Sequence, residues 1–265
     1  MLGSLAAIQF LSISSYGADE MKFLMYCIFT ENSIEPPHSL VGVNRSPVRI
    51  ISCDGLAAAV SVITQKEIPR DPATGLDYHK VIQWFHERIG VIPLRLGTCL
   101  GHESDVVQLL HSHGARYKSL LKELDGCVEM GIRVIHDRPG PQELASKSPF
   151  ISRFNGTESG TDYLMRRKVL FDADEFAISR NREIVERYHS PFTGLYVSFK
   201  AQTSKFSPLG TDRNSVLTSL YFLIPRQSAD SFRAIYGDLR SGLHERIMLS
   251  GPWPPYNFVL PEDCL

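Results

Sequence analysis

The chain has 265 residues, 43% of them apolar and 22% charged, enough to bury one large core or two small ones. Lys and Arg total 28 against 29 Asp and Glu, a net charge of −1, so no overall field favours a nucleic acid or an anionic membrane surface. Five cysteines, odd in number and without a C-x-x-C pair, argue against a disulfide framework and fit a reducing, cytoplasmic setting.

Residues 1–20 are moderately apolar but hold no Lys or Arg before Lys22, and the run is too short and polar to cross a bilayer. They are expected to be a disordered extension rather than a signal peptide. Lys22 to Phe29 is rich in aromatic and β-prone residues and predicts a buried strand. Two short apolar runs, Val48 to Cys53 and Leu56 to Ile63, flank Asp54-Gly55, a strong hairpin-turn signal. Tyr78, Val81, Ile82, Phe85 and Ile89 share one helical face, so a helix is predicted over 77–89 with Asp77 as its cap.

Val91 to Leu96 predicts a short strand in which Pro93 signals an edge or bulge. A single helix is predicted over 102–124 on the stripe Val106, Leu110, Tyr117, Leu121 and Leu124, ended by Gly126, before a strand over Cys127 to Ile135. These elements predict an N-terminal ferredoxin-like domain over 21–137, a sheet covered on one side by two helices. Pro139, Pro141, Pro149 and neighbouring glycines mark a linker over 138–158.

The rest, 159–265, predicts a C-terminal α+β domain with ferredoxin-like elements. A long leading helix runs to about Tyr188, with apolar pairs seven apart at Tyr163-Leu164, Leu170-Phe171, Ala177-Ile178 and Ile184-Val185. Polar Arg167, Asp174 and Asn181 interrupt the stripe, which leaves half of a coiled-coil seam. Strands over 195–199, 216–224 and 245–249 and a helix over 228–239 follow, then the Pro-rich tail GPWPPYNFV.

No phosphate-binding glycine motif, nucleophile elbow or zincin spacing is present. Three His-Glu dipeptides start at His86, His102 and His244, but the required second histidine is replaced by Gly90, Val106 and Met248. His111 and His113 stand about 200° apart on a helix and cannot chelate one ion unaided. No catalytic residue, cofactor site or metal ligand is therefore assigned, although with nine histidines a metal site assembled only in space stays open. Tyr196-Val197-Ser198-Phe199 matches the end of an RNA-binding sheet motif whose opening basic residue and glycine are missing. Within the first sheet, Arg95 and Glu129 stand on apolar strands, where a charge needs a partner; they are expected to pair across neighbouring strands.

Several segments together resemble the gas vesicle protein GvpL/GvpF family. They are SGPWPPYNFV (250–259), VIPLRLGT (91–98), DGCVEMGIRV (125–134), SGTDYLMRRK (159–168), the opening strand LMYCIF and the hairpin VRIISCDGLAAAVSVI, covering about residues 22–259. The resemblance implies two α+β domains, no enzymatic activity and no cofactor. It implies an accessory protein of gas vesicle formation, cytoplasmic and vesicle-associated, whose partners are the small hydrophobic shell subunit and other accessory proteins. Nucleic acid and a membrane span are not expected, and oligomeric state is left unassigned. Trp253, Tyr256 and Phe258 are the candidate protein contacts, unless they seal the second domain's core. An enzyme with a spatially assembled site and a ferredoxin-like nucleic-acid binder are the alternatives.

Overall fold

A computed structural model describes residues 21–32, 34–64, 68–137, 160–206, 215–241 and 246–259. The expected extension 1–20 and linker 138–158 lie outside these residues. Nine strands are described: β1 (Lys22–Thr30), β2 (Arg49–Cys53), β3 (Leu56–Ile63), β4 (Ile92–Pro93), β5 (Cys99–Leu100), β6 (Cys127–Asp137), β7 (Ser198–Phe206), β8 (Ser215–Pro225) and β9 (Arg246–Trp253). The helices are α1 (Pro72–His86), α2 (Glu103–Ser112), α3 (Gly114–Leu124), α4 (Gly160–His189) and α5 (Ala229–Ser241). The fold is mixed α+β with antiparallel sheets. None of the described helices is long and apolar enough to cross a membrane.

The chain divides into two compact units, one reaching Val81 and resuming over Leu94–Gly114, the other comprising Ile82–Pro93 and everything from Ala115. In the first unit β3 lies between β2 and β1, and β5 also pairs with β1. The β2–β3 hairpin turns on Asp54 (φ 52°) and Gly55 (φ 79°), two successive left-handed residues, the pairing that a tight two-residue turn requires. Residues Leu24 to Ile28 are completely buried, as are Ala58, Ala59 and Val60 of β3. One polar cluster interrupts this core: the Tyr26 hydroxyl accepts the Val43 N–H and donates to Ser61 Oγ, which donates to the Pro47 carbonyl. The buried hydroxyls of Tyr26 and Ser61 thereby find partners, and the loop before β2 is anchored to the core.

Two helix boundaries differ from expectation. Helix α1 starts at Pro72, not Asp77, because the Asp71 carboxylate accepts hydrogen bonds from the Thr74 backbone N–H and hydroxyl. Proline at the first helical position and an acidic cap before it are a start signal that the apolar spacing overlooked. The helix expected over 102–124 is two, since His113 (φ −106°, ψ 10°) leaves helical geometry before Gly114. His102 instead caps α2, its backbone N–H donating to Asp105 Oδ2 at 2.9 Å.

The second sheet runs β7-β8-β6-β9, every neighbouring pair antiparallel. Strand β6 was expected to close the first domain over 21–137; it is instead an inner strand of this sheet, paired along its whole length with β8. Its alternation of apolar residues foretells a strand but carries no information on which sheet receives it, because that choice rests on hydrogen bonds to strands about 90 residues away. Val128, Met130, Ile132 and Val134 of β6 and Leu220, Phe222 and Ile224 of β8 face the helices. They form one buried cluster with Ile184 and Tyr188 of α4, Phe192, and Phe232 and Tyr236 of α5.

Candidate protein-contact surface

The opposite face of the second sheet carries the candidate contact residues. Glu129 pairs with Leu223 on β8 and Trp253 on β9, and Arg133 pairs with Ser219 and Met248. Residues four apart on a strand share a face, so Trp253, Glu129, Met248 and Arg133 stand on one side of the sheet, away from the helix-facing residues. Across β8, Gly131 is opposite Tyr221, which is opposite Lys200 of β7. Between Ser250 and Trp253 the register of β9 shifts against β6, a bulge that contains Gly251 and Pro252.

Beyond Trp253 the chain passes through Pro254 and Pro255 and forms a short 3-10 turn, Tyr256–Phe258. That turn folds back onto this face. The Asn257 backbone N–H donates to Glu129 Oε2 at 2.7 Å and its side-chain amide to Oε1 at 2.6 Å. Lys200 Nζ donates to the Asn257 carbonyl at 2.8 Å and lies 5.4 Å from the Phe258 ring centre. The three tail aromatics thus divide. Phe258 is buried at 8% exposure and Tyr256 half-buried, whereas Trp253 keeps 41% of its surface exposed, and Met248, further back on the same strand, keeps 49%. Sealing describes Phe258; exposure describes Trp253.

Glu129 and Arg95 do not form the expected cross-strand pair. Arg95 follows β4 and is exposed, while Glu129 is 4% exposed, its strand neighbours are β8 and β9, and both its oxygens are taken by Asn257. A buried carboxylate does need partners, as expected, but amide donors from the tail satisfy it. Asn257 could have been suspected only through its place in the tail motif.

Burial pushes the Glu129 carboxyl up from the ordinary glutamate range, and the Asn257 N–H, the Asn257 amide and the Lys200 charge pull it back in part. With a raised pKa the folded state holds its proton more tightly than the unfolded chain. The contribution of Glu129 to stability is therefore full at acidic pH and lost as pH rises through its folded-state value. The Asn257 amide acts in the opposite sense because it favours the charged form. Asn257→Ala is expected to destabilise the protein by about 1.5–3 kcal/mol at pH values where the carboxyl is charged, the range for a bond to a charged group. The gap to wild type should narrow as pH falls through the raised folded-state range of the Glu129 carboxyl, where protonation removes the charge that the amide favours. Urea unfolding from pH 3.5 to 8 measures this; a gap independent of pH counts against the role given to Asn257.

The remaining motif residues are structural. Tyr196 is hydrogen-bonded to His189, and Tyr196 and Phe199 pack with His189 and Phe222 on the helix-facing side, so the RNA-motif-like aromatics belong to the core. His86 is buried, and Arg226 donates to its carbonyl at 2.7 Å. His244 lies outside the described residues. On α4, Ile184 is fully buried whereas Phe171 and Ile178 are each 62% exposed, so among the described side chains of the seven-residue apolar repeat Ile184 enters the core.

Comparison with known proteins agrees with this architecture. The family model described as "Gas vesicle synthesis protein GvpL/GvpF" matches residues 22–260. Gas vesicle protein L of Streptomyces sp. (strain CB03234) is 28% identical over 177 residues, 65% of this chain and 64% of that protein, so the match spans just under two thirds of the relative. Gas vesicle protein F of the same organism is 24% identical over 246 residues, 90% of this chain and 100% of the relative. The crystal structure of GvpF from Anabaena sp. PCC7120 superposes with a TM-score of 0.64 at 20% identity, covering 90% of this chain and 95% of that one; the likeness is one of fold. With the match running from the first strand through the folded-back tail, the chain belongs to the GvpL/GvpF family of gas vesicle synthesis proteins.

Proposed function

We propose that the chain is a non-enzymatic accessory protein of gas vesicle formation that binds the small hydrophobic shell subunit through the Trp253 end of the second sheet. The observation that carries this reading is the exposure of both Trp253 and Met248 on β9, an edge of the β7-β8-β6-β9 sheet, next to a tail that packs on Glu129 and Lys200 of that face. A subunit that will line a gas space exposes apolar surface before assembly, and such surface aggregates unless covered. An edge strand bearing a large aromatic offers main-chain pairing and an apolar anchor in one place. Other accessory proteins of the same assembly are further partners, and the setting is the cytoplasm at the vesicle.

The same reading takes the chain as two ferredoxin-like modules, the first modified. Support for the second is its strand-helix-strand-strand-helix-strand order from β6 to β9 and its antiparallel neighbours. Such a module is a sheet with one face under helices and the other available.

Trp253→Ala tests the contact. Its side chain is partly exposed, so the variant is expected to fold with a stability within about 1 kcal/mol of wild type. Capture of the shell subunit of the same genome in a pull-down should fall at least tenfold, as for loss of a central aromatic anchor. Undiminished capture by a folded variant rejects this surface, and loss of folding returns Trp253 to the structural role.

A further inference from the structure

We infer that Cys53, Asp54 and His111 form a binding site for a divalent transition-metal ion of the zinc class, joining the tip of the β2–β3 hairpin to α2. The three come from two elements. Cys53 is the last residue of β2, Asp54 the first residue of the tight turn, and His111 lies in the last turn of α2, which packs on β2 and β3. Leu110 is completely buried, which fixes the helix so that the adjacent His111 emerges beside the turn. The left-handed Asp54 turns its carboxylate to the helix side, where Oδ2 meets His111 Nδ1 at 2.5 Å. One sulfur, one imidazole nitrogen and one carboxylate oxygen all lie within 4.8 Å of one another.

The Asp54–His111 contact alone would be an ordinary surface ion pair. The cysteine is what makes a ligand set, because thiolate, imidazole and carboxylate are together the donors of a borderline ion. Tetrahedral zinc, with bonds of about 2.0–2.3 Å, separates its ligand atoms by roughly 3.3–3.7 Å. Binding would draw the ligand atoms, now within 4.8 Å of one another, to that spacing and part the imidazole from the carboxylate, and the exposed side chains of Asp54 and His111 leave room for this. His113 takes no part: its Nδ1 faces the Leu109 carbonyl and Ser112 Oγ of its own helix. His111 meets its companion ligands on the hairpin, which no helical spacing could reveal.

Three protein ligands leave a fourth position for water, and the ion would pin the hairpin to the helix. On binding, the Cys53 thiol releases its proton and the imidazole nitrogen gives up its hydrogen bond to Asp54, so affinity falls with acid. The site does not depend on the reading of Trp253, which belongs to the other unit.

Cobalt(II) titration of the full-length protein, with zinc as competitor, tests the inference. One equivalent of cobalt is expected, with a thiolate-to-cobalt charge-transfer band that zinc abolishes. Cys53→Ser should remove the band, Cys127→Ser should keep it, and His111→Gln should weaken binding at least tenfold. Circular dichroism confirms folding of each variant. His111 is largely exposed, so its variant remains informative even if Cys53→Ser were to misfold. Absence of the band in wild type, its persistence in Cys53→Ser, or unchanged affinity in folded His111→Gln would overturn the assignment.

Discussion

Phe222→Ala is expected to lower the unfolding free energy by about 3–5 kcal/mol, the range for deleting a fully buried aromatic ring. Phe222 has no exposed surface and sits at the centre of the second unit's core. Its ring lies 5.0 Å from Phe199, 5.2 Å from Phe192, 5.1 Å from Phe232 and 5.7 Å from Tyr196, centre to centre. Those neighbours are themselves wedged: Phe192 stacks on Phe232 at 4.0 Å. A core packed from rings held on two strands, a helix and a helix end cannot collapse into the space left, so the cavity cost adds to the transfer cost. Urea unfolding of wild type and variant at one pH measures the difference. A loss below 1 kcal/mol would mean that the rings relax around the deletion and that the cluster is not the rigid support of the sheet.

The second large effect is expected at Gly251. Its φ of +105° is a backbone conformation that residues with a Cβ rarely adopt. A Cβ there would meet the Glu129 carbonyl oxygen at 2.5 Å and Met130 Sδ at 3.0 Å. The first is backbone of an inner strand and cannot move aside. Gly251→Ala therefore combines about 1–3 kcal/mol of conformational strain with an overpacking cost of similar size. Because the bulge at Gly251 aims Trp253 and delivers Asn257 onto Glu129, the variant should lose more than stability. At temperatures where it remains folded it should also lose shell-subunit capture to the same degree as Trp253→Ala. Thermal unfolding and the pull-down together check this. Wild-type stability in Gly251→Ala would show that β9 can straighten, and would detach the tail geometry from the contact surface.

Local patterns in the sequence were sufficient wherever the cause of structure is local. Asp54-Gly55 foretold the hairpin, because two left-handed residues in succession are tolerated by few pairs. The stripes Val106–Leu110 and Tyr117–Leu121–Leu124 foretold buried helix faces, and each of these residues is buried. The tail motif carried the family resemblance, and the family match over 22–260 agrees with it. Local patterns were also insufficient in identifiable ways. The polar run after Phe199 was expected to be a loop, yet β7 continues to Phe206, because the backbone of β8 pairs with it whatever its side chains are. The strand ending β9 was expected at Leu249 and reaches Trp253, carried by pairing to Glu129.

By itself, then, the sequence determined the family, the alternation of strands and helices, the hairpin and the greasy faces, since propensity, periodicity and turn chemistry act between residues a few positions apart. Tertiary structure alone decided that Cys127–Asp137 joins the second sheet, that Glu129 is held by Asn257 rather than Arg95, that Trp253 stays open while Phe258 closes, and that Cys53, Asp54 and His111 converge. The physical reason is common to all four: each depends on which distant backbone supplies the hydrogen bonds or the packing surface, and a side chain's own identity does not encode its remote neighbour.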